Sequence, residues 1–238
     1  MGEATRNQLN HRWERLTPWV WRTRLPFCDV TIGLVHDGDE VLLIDTGTTV
    51  AEADAVAADV AVLTGRTVDH VLLTHNHFDH VLGYSVFAGA RTYCAPAVVA
   101  TMAARGPWLR DDAVRHGADP AAVGQAVARL SAPVDAVADT VLDLGATRVT
   151  IAHPGLGHTD HDLIAVVAGP RPVVFCGDLV EESGEPCFDE SSDARAWPET
   201  LAAVLAAGGG SALYVPGHGA VVDAAFVRNQ ADWLAARA

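Results

Sequence analysis

The stretch THNHFDH, residues 74–80, decides how this chain is interpreted. It follows directly on the apolar run VDHVLL, which has the composition of a buried strand. Side chains two positions apart in an extended segment point to the same side, so His75 and His77 can bind one metal ion together. Asp79 and His80 begin the next element and point elsewhere, which suits a second ion nearby. The stretch therefore predicts a metal site at the end of a strand.

Three later segments offer further ligands. One cluster supplies at most two ligands to each ion, whereas zinc in proteins binds about four. PGLGHTD contains His158, VVFCGD contains Asp178 and LYVPGHG contains His218, each where an apolar run gives way to a turn. In α/β proteins, catalytic and binding residues are often found at the ends of strands, so these side chains are expected near the histidine cluster. Nitrogen and oxygen donors without thiolate suit Zn²⁺, Mn²⁺ or Fe, and the share of imidazole favours zinc.

Hairpins and alternating strands and helices fill both halves of the chain. VTIGLVHDGDEVLLIDTG predicts two strands around a turn at Asp37-Gly38, and AVADTVLDLGATRVTIAHP predicts a second hairpin turning at Gly145. Helices are predicted over TTVAEADAVAADVAVLTG, from about Asp79 to Phe87, across Ala97–Leu130 with breaks near Gly106-Pro107 and Asp119-Pro120, over DARAWPETLAAVLAAG, and from near Asp223. This alternation favours an α/β architecture with two sheets.

The composition narrows the class of protein. Half of the 238 residues are apolar and 19% are charged, which is typical of a folded chain with a sizeable core. The formal charge of −14 disfavours nucleic-acid binding, because such a surface repels phosphate. All 16 basic residues are arginine. An anionic group on a substrate must therefore be held by arginine, a backbone amide, a hydroxyl or a metal.

The cysteines and the N-terminus indicate the compartment. The four cysteines form no CxxC pair and do not read as a disulfide framework or a zinc–thiolate site. The first residues, MGEATRNQLNHRWERL, contain no apolar segment typical of a secretory signal, and no apolar run is long enough to span a membrane. We expect a cytoplasmic protein whose partner is a small-molecule substrate, with no nucleic acid and no membrane. The oligomeric state stays open, a homodimer being one option.

Five motifs in order resemble those of the metallo-β-lactamase superfamily. They are Asp45 in LLIDTG, the cluster THNHFDH, His158 in GHT, Asp178 in FCGD and His218 in PGHG. The resemblance runs from roughly residue 30 to residue 222, most of the chain. It implies an α/β (α+β) fold, a four-layer αββα sandwich of two mixed sheets with helices on the outer faces. It also implies that residues 1–238 form a single domain of this type, with a dinuclear metal site at one edge of the sheets.

The resemblance also implies a ligand set. His75, His77 and His158 would hold the first ion; Asp79, His80 and His218 would hold the second; Asp178 would bridge both. Two Zn²⁺ per chain are expected, with Fe or Mn as the alternative. Asp45 would orient a ligand or its loop, and Asp79 would accept a proton during the reaction.

The implied reaction is hydrolysis, in which a metal-bridging hydroxide attacks a small ester, thioester, lactone or amide. The alternative is a mononuclear-iron oxidoreductase resembling the persulfide dioxygenases of the superfamily, and a third class is a non-catalytic scaffold or sensor. Glutathione thioesterases of the superfamily carry a C-terminal helical domain with basic residues. This chain has only 20 residues after His218 and no lysine, which disfavours that particular reaction.

Residues that bind the substrate are not identified by any motif. The acidic loop Glu181–Glu199 with Trp197, and the stretch RGPWLR around Trp108, are the expected rims of a pocket, because exposed aromatic rings bind apolar groups well. Asp160 and His161 replace the usual turn residues after GHT and could reach that rim. His153 and His161 are not expected to be metal ligands. His11, His36, His70 and His116 are expected to be solvated or capping residues, and Trp13, Trp19 and Trp21 to cover the first sheet.

Overall fold

Two β-sheets face each other across an apolar interior in the computed structural model, which describes residues 8–134 and 136–237. The first sheet contains six strands in chain order: β1 (Glu14–Thr17), β2 (Val20–Arg24), β3 (Thr31–Asp37), β4 (Glu40–Ile44), β5 (His70–Leu72) and β6 (Arg91–Tyr93). The second contains five, which lie in the spatial order β11-β10-β9-β8-β7: β7 (Thr140–Leu144), β8 (Thr147–Ala152), β9 (Ile164–Val167), β10 (Val173–Glu181) and β11 (Leu213–His218). Each sheet combines antiparallel and parallel pairs.

The outer faces of both sheets are covered by helices. The helices are α1 (Val50–Thr64), α2 (Phe78–Val81), α3 (Pro96–Ala104), α4 (Gly106–Arg115), α5 (Pro120–Arg129), α6 (Trp197–Gly208) and α7 (Ala224–Ala235). The first five pack on the outer face of the first sheet, and α6 and α7 pack on the second. The predicted four-layer αββα sandwich is therefore confirmed. Within the described ranges, no helix has the length and apolarity needed to cross a membrane.

Helix ends follow local chemistry that was readable in the sequence. Thr49 and Glu52 form a reciprocal capping box at the start of α1, and Gly65 ends this helix in the left-handed conformation with φ 73°. The predicted helical breaks coincide with the starts of α4 and α5, where a proline occupies the first turn.

One local prediction was wrong, and one hairpin was missed. The helix expected from Asp79 to Phe87 is the short α2 followed by a 3₁₀ turn over Leu82–Val86, because Gly83 packs directly on the backbone carbonyl of Thr46. The hairpin of β1 and β2 was not anticipated, since charged residues interrupt its apolar pattern. In the folded chain the buried Arg22 donates to Glu14 across this hairpin at 2.9 Å.

The segment before β1 is anchored to α1 by one buried carboxylate. Asp59 accepts hydrogen bonds from the backbone N–H groups of Asn10 and His11 and from the indole N–H of Trp13. Burial raises the pKa of Asp59, but these hydrogen bonds outweigh burial and lower it overall. His11, which was expected to be a solvated or capping residue, is thus part of this anchor, and Trp13 contacts α1. Trp19 is 48% exposed, so it does not cover the first sheet as expected.

Candidate metal centre

The predicted ligands come together where strand ends of both sheets meet. Thr74–His77 follow β5, and Asp79 and His80 lie in α2. His158 lies in the loop between β8 and β9, and His218 is the last residue of β11. Asp178 was expected at the end of a strand but lies inside β10, where Gly177 has a φ of 52° and the pairing with β11 shifts register. This distortion of β10 places the Asp178 side chain among the histidines.

The donor atoms form two groups. The first donor set is His75, His77, His158 and Asp178, and the second is Asp79, His80 and His218. Within each set, one nitrogen or carboxylate oxygen of every residue lies within 4.8 Å of the others. Asp178 reaches both: Oδ2 is 3.5 Å from His158 Nε2, and Oδ1 is 3.2 Å from His80 Nε2. The grouping has the form that the resemblance implies, while the ligand roles themselves remain predictions.

Each histidine of the two sets has its outer nitrogen bound to an oxygen acceptor. The pairs are His75 Nδ1 with Thr74 Oγ1 (3.0 Å), His77 Nε2 with Asp189 Oδ2 (2.8 Å), His158 Nδ1 with the Cys187 carbonyl (3.1 Å), His80 Nδ1 with Asp45 Oδ2 (2.8 Å) and His218 Nδ1 with the Cys28 carbonyl (2.8 Å). An outer N–H that donates in this way assigns the tautomer and leaves a lone pair on the inner nitrogen of a neutral imidazole.

The inner nitrogens lie close enough together to coordinate one cation. His77 Nδ1 lies 3.1 Å from His75 Nε2 and 3.0 Å from His158 Nε2. Lone pairs at that separation repel one another, and a positive ion between them converts the repulsion into coordination. In addition, the buried atoms His80 Nε2 and Asp178 Oδ1 lie 3.2 Å apart but form no hydrogen bond with each other or with another group. Imidazole and carboxylate donors without thiolate are the chemistry of zinc and its first-row neighbours, so the residues present fit a dinuclear metal site.

The histidines of the site differ in their protonation. In the first set, burial acts to lower the pKa of His77, but Asp189 and the nearby carboxylates outweigh it and raise that pKa. Burial lowers the pKa of His75 well below its ordinary value and that of His158 to about 4, so both are neutral. Burial also acts to lower the pKa of His80 and His218, but Asp178 and Asp79 outweigh it. They raise the pKa of His80 well above its ordinary value and that of His218 to about 10. Loading the second donor set with metal therefore requires the loss of protons from its histidines.

Asp45 acts behind the donor sets. It is buried, and its φ of 62° is unusual for a residue other than glycine. Its carboxylate accepts from the Thr74 backbone N–H at 2.9 Å, from the Thr74 hydroxyl and from His80 Nδ1. The Thr74 hydroxyl in turn contacts His75. One carboxylate thus contacts His80 directly and His75 through Thr74, and Asp45 does not line the cleft.

The site opens into a cleft of about 590 Å³. Trp108 lines it, as expected, but Trp197 does not: this indole is fully buried behind His158 and donates to the Leu179 carbonyl. Asp160 and His161 are not among the lining residues. His116 is the exposed C-cap residue of α4, as expected of a solvated or capping residue, and it also lines the cleft beside Phe78.

Apart from Asp45, the groups that orient the histidines could not be identified from the sequence. The acceptors at Cys28 and Cys187 are backbone carbonyls, which any residue type would supply. Asp189 lies in an acidic loop where several carboxylates looked equivalent. Its identification depends on the 2.8 Å contact with a residue 112 positions away.

Changing Asp189 to asparagine is expected to weaken metal binding at the first donor set by roughly 10- to 100-fold, since the carboxylate that orients His77 is lost. Competition with a chromogenic chelator measures this affinity. Glu190→Gln is the matched control, because Glu190 lines the same cleft and makes no contact with a histidine of either set. An unchanged affinity in the Asp189 variant would show that the hydrogen bond does not support the site.

Comparisons with known proteins agree with this geometry. A sequence model of the metallo-beta-lactamase superfamily matches residues 25–218, a range that holds both donor sets. Hydroxyacylglutathione hydrolase of Acidiphilium cryptum (strain JF-5) is 31% identical over 170 residues, covering 65% of this chain and 67% of that protein. A metallo-beta-lactamase from Pontibacter korlensis has a TM-score of 0.74 at 16% identity, covering 94% of this chain and 99% of the other. The metallo-beta-lactamase FIM-1 from Pseudomonas aeruginosa, in its mono-zinc form, has a TM-score of 0.69 at 19% identity, covering 95% of each chain.

Proposed function

This chain belongs to the metallo-beta-lactamase superfamily, and from that premise we propose that it is a hydrolase holding two zinc ions in its two donor sets. The observation that carries the proposal is the convergence of five histidines whose outer nitrogens are all bound to oxygen, with Asp178 reaching both sets. Divalent ions held there would acidify water and polarise the carbonyl oxygen of a substrate.

The chain's own residues orient the site and handle protons. Burial keeps His75 and His158 neutral, so each offers a nitrogen lone pair to a metal ion. Asp178 lies between the two sets and contacts both of them. Asp79 lines the cleft with its carboxylate 3.5 Å from His218 Nε2, and we assign it the role of accepting a proton from the attacking water.

The substrate class is a small ester, thioester, lactone or amide. The cleft volume suits a small molecule better than a polymer, and the acidic chain offers no attraction to a polyanion. Hydroxyacylglutathione is the first compound to test, because it is the substrate in the name of the relative that is 31% identical, a hydroxyacylglutathione hydrolase. Simple lactones, esters and β-lactams complete the panel.

Elemental analysis tests the proposal, on protein expressed without added metal and purified without chelator. We expect about two zinc ions per chain and hydrolysis of at least one compound of the panel. Stripping the metal should abolish turnover and lower the Tm, since the ions bind the folded chain preferentially, and Zn²⁺ should restore both. About one iron per chain, with oxygen uptake on glutathione persulfide, would replace the hydrolase by the dioxygenase. Protein that binds no metal would show a non-catalytic member of the family.

A further inference from the structure

Arg105 differs from the other arginine of the cleft. It lies between α3 and α4, and its guanidinium carbon is 4.1 Å from the centre of the Trp108 ring. Arg115, also at the cleft, donates to Asp112 at 2.8 Å. Among the residues that the structure describes, no carboxylate oxygen lies within 4.0 Å of an Arg105 nitrogen. The charge of Arg105 is therefore available to a ligand.

The stacking on Trp108 prepares Arg105 for a carboxylate. A guanidinium that lies over an aromatic ring keeps its in-plane N–H groups exposed, and this planar fork matches the two oxygens of a carboxylate. The Trp108 ring is also 6.5 Å from the His77 ring. Trp108 thus lies next to both the cation and the first donor set, so an anionic group on Arg105 would belong to a part of the substrate other than the carbonyl being cleaved.

Asn76 supplies a second polar group on the same wall. Its side chain is 9% exposed, lines the cleft and donates through Nδ2 to the Thr101 hydroxyl of α3 at 3.0 Å. Its Oδ1 is buried without a hydrogen-bond partner. This oxygen is closed off from the cleft, so Asn76 shapes the wall beside Arg105 and offers no acceptor to a bound molecule.

The opposite wall limits the charge of that molecule. Glu185 and Glu190 are exposed there and carry no ion pair within the described part of the chain. These carboxylates would repel a ligand with several negative charges, whereas a ligand with one carboxylate can place its single charge on Arg105.

We propose that Arg105 and Trp108 form a subsite for a substrate that carries one free carboxylate. Arg105 binds the carboxylate, and Trp108 contacts the apolar part of the chain. The subsite deepens the proposed function by naming a substrate class: acyl compounds, thioesters or amides included, with a terminal carboxylate remote from the scissile carbonyl.

Two thioesters with the same acyl chain, one ending in a carboxylate and the other in its methyl ester, test this subsite with zinc-loaded protein. We expect the wild type to prefer the carboxylate. Arg105→Gln should lower kcat/KM for the carboxylate thioester by roughly 10- to 100-fold, mainly through KM, and change the methyl ester by less than about twofold. Arg105→Lys should recover only part of the loss, because an ammonium lacks the planar fork. Arg110→Ala is the matched control, since Arg110 lies on α4 outside the cleft.

Calorimetry separates this subsite from the proposed hydrolysis. The carboxylate compound is titrated into the wild type and Arg105→Gln, and a Kd at least tenfold weaker in the variant supports the subsite even if neither thioester is cleaved. Equal Kd values, or an equal loss of activity on both thioesters, would overturn it and leave Arg105 as packing for Trp108. Because Arg105 is exposed, its variants are expected to fold, and an unchanged Tm verifies this.

Discussion

Replacing Asp178 with asparagine should lower kcat/KM by roughly a thousandfold and leave at most about one metal ion per chain. The carboxylate is the group that reaches both donor sets, and asparagine keeps its volume but removes its charge. Burial raises the pKa of Asp178, yet His218, His80 and His75 outweigh burial and hold it well below its ordinary value. The carboxylate is thus ionised, and asparagine cannot reproduce its coordination.

Elemental analysis and steady-state kinetics on the same preparation measure both effects. Asp160→Asn is the control, because Asp160 is an exposed carboxylate close to His158 in sequence and lies outside both donor sets. An Asp178→Asn protein that keeps two ions and full turnover would refute the bridging role.

Replacing Gly217 with alanine is the second change expected to disable the site, although Gly217 has no side chain to coordinate metal. A Cβ built at this position of β11 overlaps Asp178 Oδ1 and presses on the backbone of Gly177. Asp178 must therefore move away from the donor sets. We expect at least a hundredfold loss of kcat/KM with a modest loss of stability, about 1–3 kcal/mol, typical of overpacking.

Gly210→Ala is the matched control, since a Cβ at Gly210 meets no atom within 4 Å. Metal content, kcat/KM and Tm are compared for both variants and the wild type. Full metal content and activity in Gly217→Ala would mean that Asp178 tolerates displacement, and the close approach of β11 to β10 would have no functional role.

Much of the fold was predictable because the turns and helix ends are set by residues at those same positions in the sequence. The turns at Gly38 and Gly145 have positive φ, and the breaks before α4 and α5 follow from proline chemistry. The hairpin of β1 and β2 was missed for the opposite reason. Its arginines look solvated in the sequence, and only the fold buries Arg22 against Glu14 and the Gly219 carbonyl.

The candidate donors were readable from the sequence alone, because the spacing of His75 and His77 along a strand end sets their common direction before any tertiary contact forms. The family motifs then identified His158, Asp178 and His218. Apart from Asp45, the groups that orient these donors were decided only by the tertiary structure. Asp189 meets His77 across 112 positions, and the Cys28 carbonyl meets His218 across 190. Such contacts depend on how the two sheets pack and on backbone atoms that every residue shares, so no local pattern encodes them.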